Sequence, residues 1–173
     1  MHLERLSSHN CHHFDTAFSL YTISFPKEER RDFDEQQRIL AQVDYHFDLL
    51  LHRDTLLGLV LYWEIGEWIF LEHLAVAPHL RNQGIGSAAL TLLKEKGKRI
   101  LLEIEPPQDS LTRRRYGFYQ RNGFQMNPYH HIQAKYRHGD PDVELKILSY
   151  PRRLTEGEYQ DFYAYLLRYI TIQ

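Results

Sequence analysis

A short turn, Arg81-Asn82-Gln83-Gly84-Ile85-Gly86, carries the most legible chemistry in this chain. It stands between an apolar, aromatic and β-branched stretch from Trp68 to Ala77 and a segment with apolar residues at 88, 89, 92 and 93. The first stretch reads as a buried strand, closed by Pro78, which cannot donate to a sheet ladder. The second reads as one face of a helix. A strand that turns into a helix through glycines leaves bare backbone N–H groups at the positive end of the helix dipole, and that setting suits a phosphate. Gly84 and Gly86 lack a Cβ, so a pyrophosphate can approach the main chain. Arg81 adds a permanent charge.

Two other readings of the turn stand beside this one. Gly84-Ile85-Gly86-Ser87-Ala88-Ala89 also fits the dinucleotide pattern G-x-G-x-x-A, with Glu103 and Glu105 near the acidic position. That pattern needs the strand to run almost directly into the first glycine. Here Pro78-His79-Leu80-Arg81-Asn82-Gln83 intervenes, which is too long and too charged. The third reading is a plain strand-to-helix turn that holds nothing.

The elements around the turn follow from pattern and punctuation. His2 to Leu6 alternates as a short strand. Ser8-His9-Asn10 supplies capping side chains for a helix ending near Ser24, with Phe14, Ala17, Phe18, Tyr21 and Phe25 on its apolar face. Pro26 breaks it, Lys27 to Asp34 is charged, and a second helix is expected over Glu35 to Val43. Tyr45–His52, Leu56–Ile65 and the Trp68 strand make an antiparallel meander through Arg53-Asp54 and Gly66-Glu67. Gly97 suits a helix C-cap, and Arg99 to Glu105 is a strand placed parallel to the Trp68 strand by a right-handed crossover. Asp109-Ser110 caps a helix over about Leu111 to Asn122, and Phe124 opens the next strand. Tyr129–Arg137 and Val143–Tyr150 pair across Gly139-Asp140-Pro141. Thr155-x-x-Glu158 is a capping box for a helix over about 156–170 with Tyr159, Phe162, Tyr163, Leu166 and Ile170 at helical spacing. That stripe reads as core packing, with a homodimer surface as the alternative.

The 173 residues suit a single domain with a sizeable core, and the composition includes 12 Tyr and 9 Phe. A formal charge of −2 gives no general pull toward nucleic acid or an anionic membrane. No apolar run reaches the length of a membrane span, and Met1 to Leu6 lacks the apolar core of a signal peptide. One cysteine, Cys11, forms no intrachain disulfide, which fits the cytoplasm. The histidine clusters His9-x-x-His12-His13 and His130-His131 match no structured zinc pattern, so no metal is expected.

The turn after Leu74-Ala75-Val76-Ala77-Pro78 resembles the acetyl-CoA signature of the GCN5-related N-acetyltransferases (GNAT), and Phe118-Tyr119-Gln120-Arg121-Asn122-Gly123-Phe124 resembles that family's second signature. The resemblance implies an α+β fold, a mixed, mostly antiparallel twisted sheet with a central splayed parallel strand pair, flanked by helices. It also implies transfer of an acetyl group from acetyl-CoA to an amine by direct attack in a ternary complex, rather than through Cys11. By resemblance, Arg81, Asn82 and the backbone of Gln83, Gly84, Ile85, Gly86 and Ser87 hold the phosphates. The backbone at Leu74, Ala75 and Val76 polarises the thioester carbonyl.

Tyr119 matches the tyrosine that protonates the leaving thiolate, with Tyr116 as its reserve. Glu72 is the candidate base, because regular alternation puts Trp68, Phe70, Glu72 and Leu74 on one face of the strand and His73 on the other. The alternative is a Glu72 that faces solvent or pairs with an arginine. Phe25, Pro26 and Phe33, with Phe70, line the acceptor pocket by the same resemblance, or else are ordinary core. The family often places an Asn and an Ala where Thr112 and Arg115 stand, so Thr112 inherits a cofactor contact that its hydroxyl can make only in part. Arg113-Arg114-Arg115 either meets the phosphates or is a solvated face. A catalytically silent acyl-CoA-binding or sensing module is the alternative function.

Overall fold

The computed structural model describes residues 1–6, 13–134 and 141–170. The proposed cap Ser8-His9-Asn10, Cys11, most of the first histidine cluster and the Gly139-Asp140 turn lie outside the described residues. The chain forms two compact units, Met1–Lys98 and Arg99–Gln173.

The first unit is a four-stranded antiparallel meander carrying three helices. Its strands are β1 (His2–Arg5), β2 (Tyr45–His52), β3 (Thr55–Ile65) and β4 (Trp68–Val76). Each of β1/β2, β2/β3 and β3/β4 is an antiparallel pair. The helices are α1 (Phe14–Ser24), α2 (Phe33–Ile39) and α3 (Ile85–Lys94). Phe14, Ala17, Leu20 and Tyr21 bury the apolar face of α1, and Ala89, Leu90 and Leu93 bury that of α3. The second helix starts earlier than its apolar pattern suggests. Asp32 accepts from the Glu35 N–H while Glu35 reaches back to the Asp32 N–H, a full capping box.

Gly58 fixes the approach of β3 to β4. A Cβ there would lie 2.3 Å from the carbonyl oxygen of Ala75, a backbone atom that cannot swing aside. Gly58→Ala should therefore cost about 1–3 kcal/mol of unfolding free energy, as overpacking does. Urea denaturation measures it, and an unchanged midpoint would contradict the contact.

In the second unit, β8 (Glu144–Tyr150) pairs antiparallel with β5 (Arg99–Ile104), β6 (Gln125–Met126) and β7 (His131–Ile132). Two helices join them, α4 (Ser110–Arg121) and α5 (Glu156–Tyr165), the latter continuing as a π-turn over Leu166–Ile170. The Thr155–Glu158 capping box is present. Tyr159, Phe162 and Leu166 are buried within this unit, so those positions of the α5 stripe are core. Tyr159 also stacks on Tyr129 with ring centroids 4.3 Å apart. Buried Asn127 is fully used: its amide donates to the Ile147 carbonyl and the Ser149 hydroxyl, and its oxygen accepts from the Leu154 N–H.

Candidate active site

The phosphate turn takes the shape its glycines require. Asn82 and Gly84 both lie in the left-handed region, at φ 64° and 77°. Glycine is at home there, and asparagine tolerates it through local hydrogen bonds. A Cβ on Gly84 would meet nothing within 4 Å, so its backbone angle, not crowding, selects glycine. Residues 81–84 are exposed. The helices α2, α4 and α5 open with a capping box, whereas α1 at His13 and α3 at Gly84 have no side-chain cap. No N-cap side chain occupies the first turn of α3, which suits a phosphate. Arg81 is tethered through Nε to the Val76 carbonyl at 3.2 Å, which leaves both Nη groups for an anion. These residues fit a CoA pyrophosphate.

On β4 the structure corrects the alternation. Leu71 faces Tyr62 and His73 faces Leu61, so two neighbours on β3 oppose three residues of β4, and Glu72 is the extra one. This is a β-bulge. Directly opposed residues in an antiparallel pair point the same way, so His73 shares a face with Phe70, and Leu74 crosses to the other. Glu72 and His73 sit side by side instead of on opposite faces, with His73 Nδ1 3.8 Å from Glu72 Oε2. The Glu72 side chain is 2% exposed, yet the residue as a whole is half-buried, so its main chain carries the exposure. The bulge thus bares backbone two residues ahead of the Leu74–Val76 stretch to which the resemblance assigns the thioester carbonyl.

Glu72 pairs with an arginine that the sequence reading passed over. Arg31 Nη1 lies 2.8 Å from Glu72 Oε2, and both side chains are buried. The guanidinium also sits 5.4 Å and 5.9 Å from the ring centroids of Tyr45 and Trp63. The Arg31 N–H donates to the Tyr21 hydroxyl at 3.0 Å.

His73 donates from Nε2 to the Glu29 carbonyl at 2.8 Å, because a carbonyl can only accept. Its Nδ1 is then a lone pair, buried and without a hydrogen-bond partner. Phe25 packs edge-on against the imidazole at 4.4 Å, which places that pocket candidate beside His73. Phe70 is buried, Pro26 is exposed, and Phe33 is 43% exposed, packing on Phe14 and Phe18 of α1.

Burial lowers the His73 pKa below the ordinary 6.5, against the raising influence of Glu72. The unfolded chain therefore binds this proton more readily. Stability from the neutral ring is complete above pH 6.5 and is lost as pH falls through and below it. Unfolding free energy should decline as pH falls below 6.5, and His73→Gln should flatten that decline. An equal slope in both proteins would contradict it.

In the second unit, Tyr119 lies on α4 against Phe118 and Phe124, with ring centroids 5.0 Å and 5.6 Å away. Burial pushes its phenol up to about 12, against a smaller lowering by Arg115. Its hydroxyl has no hydrogen-bond partner among the described residues. Thr112 is engaged within the first turn of its own helix. It is the third helical residue of α4, in a capping box with Asp109. Its Oγ1 accepts from the Gln108 and Asp109 N–H groups and lies 3.0 Å from the Asp109 carboxylate. The hydroxyl is spent on the cap, which leaves it no free donor for a cofactor arm. Of the three arginines, all exposed, Arg113 bonds the Gln108 carbonyl and Arg115 pairs with Glu105. Among the described residues, no three His, Cys, Asp or Glu side chains come together to hold a metal. Nor is any described helix long and apolar enough to cross a membrane.

A model of the acetyltransferase (GNAT) family matches residues 13–124. The chain belongs to this family. A Bacillus subtilis (strain 168) relative named as an acetyltransferase, YjbC, is 35% identical over 104 residues, which is 58% of this chain and 52% of that protein. The match thus spans about half the length of that curated relative. A solved structure from Bacteroides thetaiotaomicron, named as a GNAT-family acetyltransferase, superposes over 100% of both chains with a TM-score of 0.93 at 26% identity. An aminoglycoside 6'-N-acetyltransferase complexed with coenzyme A shares the fold at a TM-score of 0.63 and 16% identity, over 86% of this chain and 96% of that one. The fold is the GNAT fold, α+β with mostly antiparallel strands.

Proposed function

We propose that this chain is an N-acetyltransferase that moves the acetyl group of acetyl-CoA to a primary amine, on a small molecule or on a peptide or protein. The observation that carries the proposal is the uncapped, glycine-started α3 with Arg81 beside it, inside the segment matched by the family model. Arg81, Asn82 and the N–H groups of Gln83 to Ser87 hold the pyrophosphate. Backbone N–H groups from Glu72 to Val76 meet the charge that develops on the thioester oxygen, an effect worth about 3 kcal/mol where donors are preorganised. Glu72 and His73 together take the amine's proton, with Phe25 forming part of the acceptor wall. As the new N–C bond forms and the C–S bond breaks, Tyr119 donates a hydrogen bond to the leaving sulfur. Acetyl-CoA supplies the activated acyl group.

One observation favours the alternative, an acyl-CoA-binding or sensing module without turnover. The Glu72 carboxylate is buried and already paired with Arg31, as a purely structural group would be.

Calorimetric titration of acetyl-CoA, with NAD as control, tests the common ground of both readings. Saturable binding of acetyl-CoA but not NAD is expected. At about 100 times its dissociation constant the ligand should add about 2.7 kcal/mol of stability. Arg81→Ala should weaken binding about tenfold, the worth of a charge-assisted bond. No binding would remove both readings. Release of CoA on adding an amine from a panel then separates the enzyme from the silent module.

A further inference from the structure

A groove of about 320 Å³ opens on the first unit, lined by Leu3, Arg5, Asp48, Tyr62, Leu92 and Lys96 together with His2 and His46. It meets the C-terminal end of α3, while the phosphate turn sits at the N-terminal end. Leu92 is about 10 Å along the helix axis from Ile85. Nothing in the proposed transfer uses it.

Asp48 is the feature that needs explaining. It is 4% exposed. Its Oδ2 accepts from the Tyr62 hydroxyl at 2.8 Å. Its Oδ1 is buried with no hydrogen-bond partner. His46 Nδ1, at 3.7 Å, is too far to supply a bond. Tyr62 has a single proton, already given to Oδ2, and burial beside Asp48 keeps that proton on the phenol. A buried carboxylate oxygen without a donor is costly, so such an atom lining a groove points to a donor that comes from outside.

The surrounding charges say what kind. Lys96 Nζ lies 3.2 Å from Glu64 and 5.4 Å from the Tyr62 ring centroid. Arg5 is anchored through Nη2 to the carbonyls of Gln42, Val43 and Tyr45. A plain cation would meet these two positive side chains, and a plain anion would meet Asp48. A molecule with an ammonium at one end and a carboxylate at the other satisfies all three. Leu3 and Leu92 offer an apolar wall for the carbons between.

We infer that this groove binds a zwitterionic amino acid, its ammonium on Asp48 Oδ1 and its carboxylate on Arg5 and Lys96. Oδ1 is itself buried, with the His46 ring beside it and stacked on Tyr62 at 4.5 Å, so binding requires that ring to shift.

Chemical-shift titration of the full chain tests this, with γ-aminobutyrate, glycine and lysine as probes and butylamine and butyrate as single-charge controls. Saturable shifts at the Leu3, Asp48 and Leu92 amides are expected with at least one amino acid, and about tenfold weaker binding of either control. Asp48→Asn should abolish the shifts. Leu92→Trp, which fills the groove from the helix side, should do the same and covers a failure of the first variant to fold. Shifts that survive both variants, or no shifts with any probe, would overturn the site. Equal binding of butylamine would overturn the zwitterionic class. None of these readouts depends on CoA or turnover.

Discussion

Replacing Arg31 by Met should destabilise the protein by about 3–5 kcal/mol, the cost of stranding one partner of a buried ion pair. Glu72, a side chain 2% exposed, would lose the guanidinium that lies 2.8 Å away. The methionine still fills part of the space against Tyr45 and Trp63, so the loss comes from the charge more than from a cavity. The N–H of residue 31 still reaches the Tyr21 hydroxyl, since that bond uses the main chain. Glu72→Gln should cost less, because the amide oxygen can still accept from Arg31 and the guanidinium keeps its place beside the rings of Tyr45 and Trp63. The double variant Arg31→Met with Glu72→Leu should recover most of the stability, since an apolar pair of similar size can replace a buried ion pair at little cost. Urea unfolding of the parent, Arg31→Met, Glu72→Leu and the double variant closes the cycle. A single-variant loss under about 1 kcal/mol would mean that water or another group already screens the pair.

Arg31 was hidden from the sequence because Lys27 to Asp34 reads as a solvated charge run. What singles it out is non-local: Tyr45 and Trp63, on two different strands, lie over its guanidinium. A local signal for the neighbouring helix was present, since Asp32-x-x-Glu35 has capping-box spacing and marks its start ahead of the apolar pattern. The glycine turn, the meander and the α5 cap were legible, because turn chemistry and periodicity are written in adjacent residues. The bulge was not. It is a property of register between Leu61-Tyr62 and Leu71-Glu72-His73, and neither strand states it alone. One hint was available: two neighbouring ionisable residues inside an apolar strand cannot follow simple alternation without one of them standing among apolar partners. For Thr112 the part that was not legible is local instead. Matching it to a family position fixed its place in the chain but not the local competition for its hydroxyl, which Asp109 wins.

Tyr119→Phe should lower kcat by about 10- to 100-fold and leave KM for acetyl-CoA within about twofold, the pattern of an interaction made mainly in the transition state. The ring is retained, so packing on Phe118 and Phe124 survives and the melting temperature should hold. Burial sets the form of the role. With the phenol pushed up to about 12, Tyr119 is protonated throughout any practical assay. An ordinary thiol titrates near 8.5, so complete transfer of this proton to a thiolate would run uphill by about 3.5 pK units. The role proposed for Tyr119 is therefore that of a fixed hydrogen-bond donor that stabilises charge gathering on sulfur, with solvent completing the protonation after the bond has broken. The pH–rate profile checks this. No alkaline fall with a midpoint near 10 should belong to Tyr119, and any such limb should persist in Tyr119→Phe. A limb present in the parent and lost in the variant would mean that the phenol titrates normally and transfers its proton outright. Unchanged turnover in the variant would remove Tyr119 from the reaction while leaving family membership intact, and CoA binding would still follow the α3 turn.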